Sequence, residues 1–140
     1  MIQELKSKDE MRAAFPVIKQ LRTHLDESGY LRLVEEARQK DHYRMFALIE
    51  NDKIVAVTGF KPMFTLYYGR FIWVCDLVTD ESVRSKGYGD QLLAFVEEFA
   101  RDHGYEAVAL SSGLSRSDAH RFYEEKMDYD KVSYVFKKVL

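Results

Sequence analysis

The spacing of apolar residues predicts two helices at the start of the chain. Residues 7–10 have the pattern of a capping box, in which the Ser7 hydroxyl and the Glu10 carboxylate satisfy backbone N–H groups at a helix N-terminus. Apolar residues then recur at helical spacing: Met11, Phe15, Ile18 and Leu25. Pro16 lies inside this pattern and predicts a kink or a restart, because proline has no N–H. After a break at residues 26–29, one side of a second short helix carries Tyr30, Leu33, Val34 and Ala37.

The middle of the chain changes to the period of β-strands. Residues 44–50 and 54–60 are rich in β-branched and apolar side chains, and Asn51-Asp52-Lys53 separates them in the pattern of a hairpin. A third strand is predicted over residues 71–79. Residues 88–103 have the clearest helical pattern, with Leu92, Phe95, Val96, Phe99 and Ala100 on one face and Gly104 as the stop. A short strand over 107–110, a helix over 117–127 and a strand over 132–140 complete the prediction.

The order of these elements predicts an α/β fold of the α+β type. Helices come first, an antiparallel meander follows, and a β-α-β-α-β series ends the chain, which indicates a mixed, mostly antiparallel twisted sheet flanked by helices. The helix over 88–103 joins two neighbouring strands, so those strands should be parallel. A length of 140 residues suits one domain, and we expect a single domain over residues 1–140.

Composition and charge exclude several classes of function. Lys+Arg 21 against Asp+Glu 23 gives a net charge of −2, without the basic character expected of a nucleic-acid-binding domain. Cys75 is the only cysteine, which excludes an intrachain disulfide and a multi-cysteine metal site, and its position in a strand favours a small core residue over a nucleophile. No apolar run approaches the roughly 20 residues that span a bilayer, and the first residues are charged. We therefore expect a cytoplasmic protein with no nucleic-acid or membrane partner.

One segment combines features that bind phosphate groups. The strand over 71–79 leads into a loop in which Gly87 and Gly89 stand at the start of the amphipathic helix. Glycine allows a ligand to approach the backbone, and a helix N-terminus supplies unpaired N–H donors and partial positive charge. Arg84 and Lys86 add full positive charges. The alternative interpretation is a tight turn with solvated basic residues. The Walker pattern does not match, because Gly87 is not followed by Lys-Ser or Lys-Thr, and the dinucleotide-binding pattern does not match, because Leu92 stands in place of its last glycine.

Two motifs in this order resemble those of one enzyme superfamily. Arg84-Ser85-Lys86-Gly87-Tyr88-Gly89 resembles the Arg/Gln-x-x-Gly-x-Gly/Ala signature of the GNAT superfamily of acyl-CoA-dependent N-acyltransferases, at every specified position. Residues 119–124, Ala-His-Arg-Phe-Tyr-Glu, resemble the start of the superfamily's Ala-x-x-Phe-Tyr-Glu-x-x-Gly-Phe segment. The end of that segment departs, since its spacer is one residue longer and Asp128-Tyr129 replaces Gly-Phe. Aspartate adopts the left-handed conformation of a helix end better than most residues, so we expect this change to be tolerated.

The resemblance implies where a co-substrate binds. Acetyl-CoA would be the acyl donor, with no metal ion, and a central parallel strand pair would splay apart at its site. Its diphosphate would contact main-chain N–H groups of the anion loop, defined as Arg84, Ser85, Lys86, Gly87, Tyr88, Gly89 and Asp90. Its pantetheine arm would pair with Leu77, Val78 and Thr79 like an added strand, and an N–H near Leu77 or Val78 would face the thioester oxygen.

The resemblance also implies two catalytic residues, Tyr123 and Asp76. Tyr123 matches the superfamily's general acid, which protonates the departing thiolate. A proton transfer from a tyrosine near pKa ~10 to a thiolate near ~8.5 is uphill by roughly 2 kcal/mol, so Tyr123 is better described as a hydrogen-bond donor that completes the transfer. The alternative interpretation places Tyr123 in a helical core stripe. Asp76 is either a base that deprotonates the acceptor amine or a group that positions it, and both roles stay open.

The predicted function is acetyl transfer from acetyl-CoA to an amine by direct attack in a ternary complex. The acceptor would be a small-molecule or peptide amine, with the first two helices and the loop at residues 64–70 forming its binding wall. One alternative is a non-catalytic acyl-CoA-binding module of the same fold, and another is a nucleotide-binding domain of unrelated function. A homodimer is compatible with the sequence.

Overall fold

The structure, a computed structural model, describes residues 1–140 and contains a five-stranded sheet with helices before, between and after its strands. In chain order the elements are β1 (Ile2–Leu5), α1 (Lys8–Leu21), α2 (Glu27–Asp41), β2 (Arg44–Glu50), β3 (Lys53–Thr65), β4 (Gly69–Thr79), a 3-10 turn (Glu81–Val83), α3 (Tyr88–Asp102), β5 (Ala107–Leu110), α4 (Ser117–Arg121) and a π-helix (Phe122–Lys126). No helix combines the length and the apolar character needed to cross a membrane.

The sheet has the strand order β1-β2-β3-β4-β5. The first four strands pair antiparallel, with Ile2 opposite Leu48, Ala47 opposite Val57, and Val57 opposite Val78. The last pair, β4 and β5, is parallel, as α3 between them requires. The prediction of a mixed, mostly antiparallel sheet flanked by helices is therefore confirmed.

Two hydrophobic clusters lie between the sheet and its helices. Met11, Val17 and Ile18 of α1 and Tyr30 of α2 pack with Met45 and other sheet residues in the first cluster. In the second cluster, Leu92 of α3 packs with Leu48, Val55 and Ala56. Because successive residues of a strand point to opposite faces, the apolar runs in β2 and β3 supply both clusters. The sheet is thus buried on both sides, which fixes the path of β4 between α1 and α3.

Local signals in the sequence account for several boundaries. Ser7 caps α1 and forms the predicted capping box with Glu10. Asn51 and Asp52 both have positive φ, 51° and 62°, as a two-residue hairpin turn between β2 and β3 requires. Pro16 lies inside α1, which continues through it as one helix, so the predicted restart is wrong. Leu33, predicted on the apolar side of α2, is exposed, whereas Tyr30 and Val34 are buried as expected.

The two ends of the chain differ from the prediction. No pattern in the sequence predicts β1, because a four-residue strand with two polar positions has too few apolar residues to show a period. Residues 132–140, predicted as a strand, form no regular element, and Tyr134, Phe136 and Leu140 are exposed. Alternating apolar residues predict only that a segment suits a sheet, and a strand forms when a neighbour pairs with its backbone. No such pairing is present in this stretch.

The chain divides into two compact units, residues 1–109 and residues 110–140. The first contains β1 to β4, α1 to α3 and most of β5. The second begins at the last residue of β5 and contains α4 and the π-helix.

Candidate active site

A bulge interrupts β4 at Cys75. Gly59 of β3 pairs with Asp76, but the next residue of β3, Phe60, pairs with Val74, so β4 has one extra residue between them. A bulge of this kind removes backbone groups from the regular ladder. The Cys75 carbonyl accepts a hydrogen bond from Nη2 of Arg22 at 2.7 Å. The bulge is thus stabilised by a side chain from the end of α1.

The Asp76 carboxylate accepts a hydrogen bond on each oxygen. Arg22 Nε donates to Oδ1 at 2.9 Å, and the Tyr43 hydroxyl donates to Oδ2 at 2.6 Å. The side chain of Asp76 is 18% exposed, and its main-chain carbonyl accepts from the buried Thr58 hydroxyl at 2.8 Å. Burial, and then the charge of Asp76, raise the pKa of Tyr43 well above its usual value, so that this hydroxyl keeps its proton and donates it.

Gly59 makes room for this contact. A Cβ added at Gly59 would lie 2.5 Å from Cε2 of Tyr43, and closer still to Cζ and the hydroxyl oxygen. Only glycine at this position of β3 lets the Tyr43 ring pass close enough to the backbone for its hydroxyl to reach Asp76. Cys75, next to Asp76, is half-buried, and burial followed by the Asp76 charge raises its pKa to about 11, so it is a neutral thiol at pH 7.

The edge of β4 beyond the bulge extends past β5. The Glu106 N–H donates to the Arg70 carbonyl at 2.8 Å, which places the beginning of the four-residue β5 beside the beginning of β4. Parallel strands advance at the same rise per residue, so β5 ends before Asp76. Leu77, Val78 and Thr79 therefore lie on a part of β4 that β5 does not accompany.

Hydrogen bonds hold the first two residues after β4, Asp80 and Glu81, in place. The Asp80 N–H donates to the carbonyl of Val55, the extra residue of a second bulge, at 2.8 Å. The Asp80 side chain accepts from the Ser82 N–H at 3.1 Å and so caps the 3-10 turn. This hydrogen bond is the main cause that lowers the pKa of Asp80 below its usual value. Gln20 of α1 also binds here, at Asp80 and Glu81.

The anion loop ends at a helix N-terminus without a side-chain cap. Gly87, at φ 81°, is the N-cap of α3 and makes no side-chain hydrogen bond to the first turn. A Cβ added at Gly87 would have no neighbouring heavy atom within 4 Å, so the space beside this N-terminus is open. Ser85 also has a positive φ, 68°, a conformation that costs a non-glycine residue about 1 kcal/mol. Arg84 and Lys86 are exposed on either side of it, and Arg84 Nε donates to the Thr79 carbonyl at 3.4 Å. The first N–H groups of α3 have no partner within the helix, so main-chain donors and two cations lie close together along this segment.

Tyr123 lies in the π-helix that continues α4. The Met127 N–H donates to the Phe122 carbonyl at 3.0 Å, five residues back, and Asp128 then adopts φ 60°. The π-helix thus contains the extra residue that separates this segment from the superfamily's pattern, and Asp128 takes the left-handed position of its glycine. Tyr123 is half-buried, its carbonyl accepts from the Tyr129 N–H at 2.8 Å, and its ring centroid lies 6.1 Å from that of Tyr129.

A separate cleft of about 390 Å³ opens between α2 and the start of β2. Both of its arginines are already hydrogen-bonded within the protein, since Arg44 donates to both oxygens of Glu4 at 2.9 Å and Arg38 donates to the Lys6 carbonyl at 2.7 Å. We therefore place the candidate site at β4 and the anion loop. No group of three or more His, Cys, Asp or Glu side chains is placed to hold a metal ion.

The profile of the Acetyltransferase (GNAT) family matches residues 8–129. The chain belongs to the GNAT family. This confirms the resemblance drawn from the two sequence motifs.

Two curated N-acetyltransferases are similar over most of the chain. An uncharacterized N-acetyltransferase YhdJ of Bacillus subtilis is 44% identical over 137 residues, 98% of this chain and 96% of that protein. The aminoalkylphosphonate N-acetyltransferase of Salmonella typhimurium is 35% identical over 100 residues, 71% of this chain and 63% of that protein.

Solved structures show the same GNAT fold at lower identity. The aminoglycoside N-acetyltransferase AAC(6')-Iy in complex with CoA superposes with a TM-score of 0.85 at 15% identity, over 100% of this chain and 93% of that one. A GNAT family acetyltransferase of Staphylococcus aureus superposes with a TM-score of 0.80 at 22% identity, over 100% and 98%.

The structure brings together one part of the predicted GNAT site. Asp76, residues 77–79 and the anion loop follow one another along β4 and into α3, as the motif placement predicts. The sequence motifs do not include four residues that bind or accommodate this segment: Arg22, Tyr43, Gly59 and Gln20. No local pattern marks them, because their partners lie 16 to 61 residues away.

Proposed function

We propose that the protein is an acetyl-CoA-dependent N-acetyltransferase that transfers an acetyl group to an amine by direct attack in a ternary complex. The N-terminus of α3 carries this proposal, since it has no side-chain cap, Gly87 leaves open space beside N–H groups without a partner in the helix, and two exposed cations precede it. A diphosphate suits such a site in charge and in hydrogen-bonding capacity. Membership of the GNAT family, and a fold neighbour crystallised with CoA, support the same donor.

Residues 77–79 would bind the pantetheine arm. The edge of β4 past the end of β5 pairs with β3 on one side, and an extended chain could pair with its other side, where the Arg84 guanidinium would have to release the Thr79 carbonyl that it binds at 3.4 Å if that group is used. β-augmentation supplies such hydrogen bonds without side-chain chemistry. An N–H of Leu77 or Val78 would donate to the thioester oxygen and stabilise the charge that develops there. Acetyl-CoA would supply the activated acetyl thioester.

Asp76 acts by positioning in this proposal, and not as the base. A base must hold the proton that it removes, and a proton on Asp76 would weaken its ion pair with Arg22 at 2.9 Å and its contact with Tyr43 at 2.6 Å. An α-amine with a pKa near ~8 loses its proton at pH 7 at a cost of only about 1 kcal/mol and requires no dedicated base. Tyr123 would donate a hydrogen bond to the sulfur of the leaving thiolate.

The acceptor is proposed to be a small amine. The relatives named above act on an aminoalkylphosphonate and an aminoglycoside, so both classes belong in the assay together with amino acids and peptide N-termini. The predicted loop at residues 64–70 is a turn at residues 66–68 with the paired ends of β3 and β4, and this hairpin end would contribute to the acceptor wall, since Phe64, Leu66 and Tyr67 are exposed there. We further propose one functional domain over residues 1–140.

Release of free thiol from acetyl-CoA across this amine panel tests the proposal. We expect turnover with at least one amine class, and a kcat roughly 10²-fold lower for Tyr123→Phe with little change in acetyl-CoA affinity. Tyr134→Phe, an exposed tyrosine outside the regular elements, is the matched control and should behave as wild type. Tight binding of acetyl-CoA without turnover on any amine would instead favour the non-catalytic binding module.

A further inference from the structure

The last turn of α1 contacts β4 and the following loop through two side chains. Gln20 Oε1 accepts from the Glu81 N–H at 2.8 Å, and its Nε2 donates to Asp80 Oδ1 at 3.3 Å. Arg22, the C-cap of α1, donates to the Asp76 carboxylate at 2.9 Å and to the Cys75 carbonyl at 2.7 Å. Both residues therefore bind backbone as well as carboxylate groups of a neighbouring segment.

These contacts lie on both sides of residues 77–79. Arg22 binds the two residues before this stretch, and Gln20 binds the two residues after it. The stretch itself pairs with β3 on one edge only, because β5 ends before it. A strand edge that is to pair with a ligand must hold its carbonyl and N–H groups in register beforehand, because ordering them on binding costs affinity.

We propose that Gln20 and Arg22 are positioning residues for acetyl-CoA, which hold the two ends of the pantetheine-binding edge of β4. The proposal rests on the function proposed above. Neither side chain needs to touch the ligand. Arg22 fixes the bulge at Cys75, where the thioester would lie, and Gln20 fixes the entrance of the anion loop at Asp80 and Glu81.

Two substitutions with matched controls test this proposal. Gln20→Ala removes both amide contacts, and Gln39→Ala removes a glutamine whose amide binds only a neighbouring carboxylate, Glu35, on α2. Arg22→Lys keeps the charge but loses the fork that reaches two acceptors, and Arg12→Lys makes the same change on the exposed side of α1. The measurements are the Kd of acetyl-CoA by calorimetry, kcat and both KM values, and the Tm.

We expect Gln20→Ala and Arg22→Lys each to raise the Kd of acetyl-CoA by roughly three- to tenfold, the effect of losing one or two hydrogen bonds. The controls should leave it unchanged. Gln20→Glu should also weaken binding, because it places a second carboxylate against Asp80.

An unchanged Kd in both folded variants, with only a lower Tm, would show a purely structural role and overturn the proposal. An unchanged Kd for Gln20→Glu would also count against it. If Gln20→Ala or Arg22→Lys does not fold, Gln20→Glu, which keeps the size of the glutamine side chain, still decides the outcome. Absence of acetyl-CoA binding by the wild-type protein is a separate result, which would refute the proposed function and this inference with it.

Discussion

Replacing Gly59 by alanine tests the packing at the candidate site. A glycine in the interior of a strand normally costs about 0.5–1 kcal/mol relative to alanine, so Gly→Ala in β3 should stabilise the fold if nothing opposes it. Here the added Cβ would lie 2.5 Å from Cε2 of Tyr43 and nearer to its hydroxyl, whereas real Cβ atoms stay beyond 3.0 Å. The ring must move away, and its 2.6 Å hydrogen bond to Asp76 must lengthen or break.

The magnitude follows from these two effects. Overpacking a buried site costs about 1–3 kcal/mol, and loss of a hydrogen bond to a charged group costs about 1.5–3 kcal/mol. After the ordinary gain from alanine is subtracted, we expect Gly59→Ala to lower the free energy of unfolding by about 2–5 kcal/mol. This is a large share of the roughly 5–15 kcal/mol that a domain of this kind has available.

Equilibrium unfolding in urea measures this change, with the m-value as a check on two-state behaviour. Gly113→Ala is the control, because its added Cβ would lie 3.7 Å from the nearest atom and its φ is not positive. The same Gly59→Ala change in a Tyr43→Leu background should cost less than about 1 kcal/mol, since leucine lacks the ring atoms that collide. A neutral or stabilising Gly59→Ala, or an equal cost in both backgrounds, would refute the reasoning.

Two further predictions concern the ends of helices. Backbone hydrogen bonds from Ser7 and Lys6 lower the pKa of Glu10 from 4.5 to about 2, so the stabilising effect of its carboxylate is complete above pH 4.5 and is lost as the pH falls toward 2. The Tm difference between wild type and Glu10→Gln should therefore shrink as the pH is lowered from 4.5 to 2. A Tm difference that stays constant over this range would contradict the prediction. Gly87→Ala should destabilise the fold by about 1 kcal/mol because of the positive φ at this position, and it should also weaken acetyl-CoA binding. Gly104→Ala, at φ 77°, should destabilise the fold by a similar amount and leave acetyl-CoA binding unchanged. Equal acetyl-CoA affinities for the two variants would argue against the open space at Gly87 being the ligand site.

Local signals in the sequence predict much of the fold. The capping box at Ser7, the bounds of β2 and β5 and the start of α3 at Tyr88 all agree with the structure. Each depends on periodicity or on a cap formed within a few residues, which a single sequence contains. The placement of the anion loop between β4 and α3 follows from the same signals.

Local sequence signals do not predict the geometry around Asp76. The bulge at Cys75 depends on the register between two strands, and the Arg22 and Tyr43 contacts join residues 54 and 33 positions apart. The sequence therefore leaves open whether Asp76 is a base or a positioning residue. The hydrogen bonds that Arg22 and Tyr43 donate to its carboxylate favour positioning. The π-helix is a similar case, because an extra residue before Asp128 is visible in the sequence but the i to i+5 hydrogen bond that absorbs it is not.

A titration of ¹⁵N-labelled protein with coenzyme A tests the central claim most directly, because it reports on each backbone N–H. We predict that the amide resonances of Gly87, Tyr88 and Gly89 shift and saturate together with those of residues 77–79. Pantetheine, which lacks the diphosphate, should shift only the latter group. Saturable binding that leaves the amides of Gly87, Tyr88 and Gly89 unshifted, or no binding of coenzyme A at all, would contradict the account.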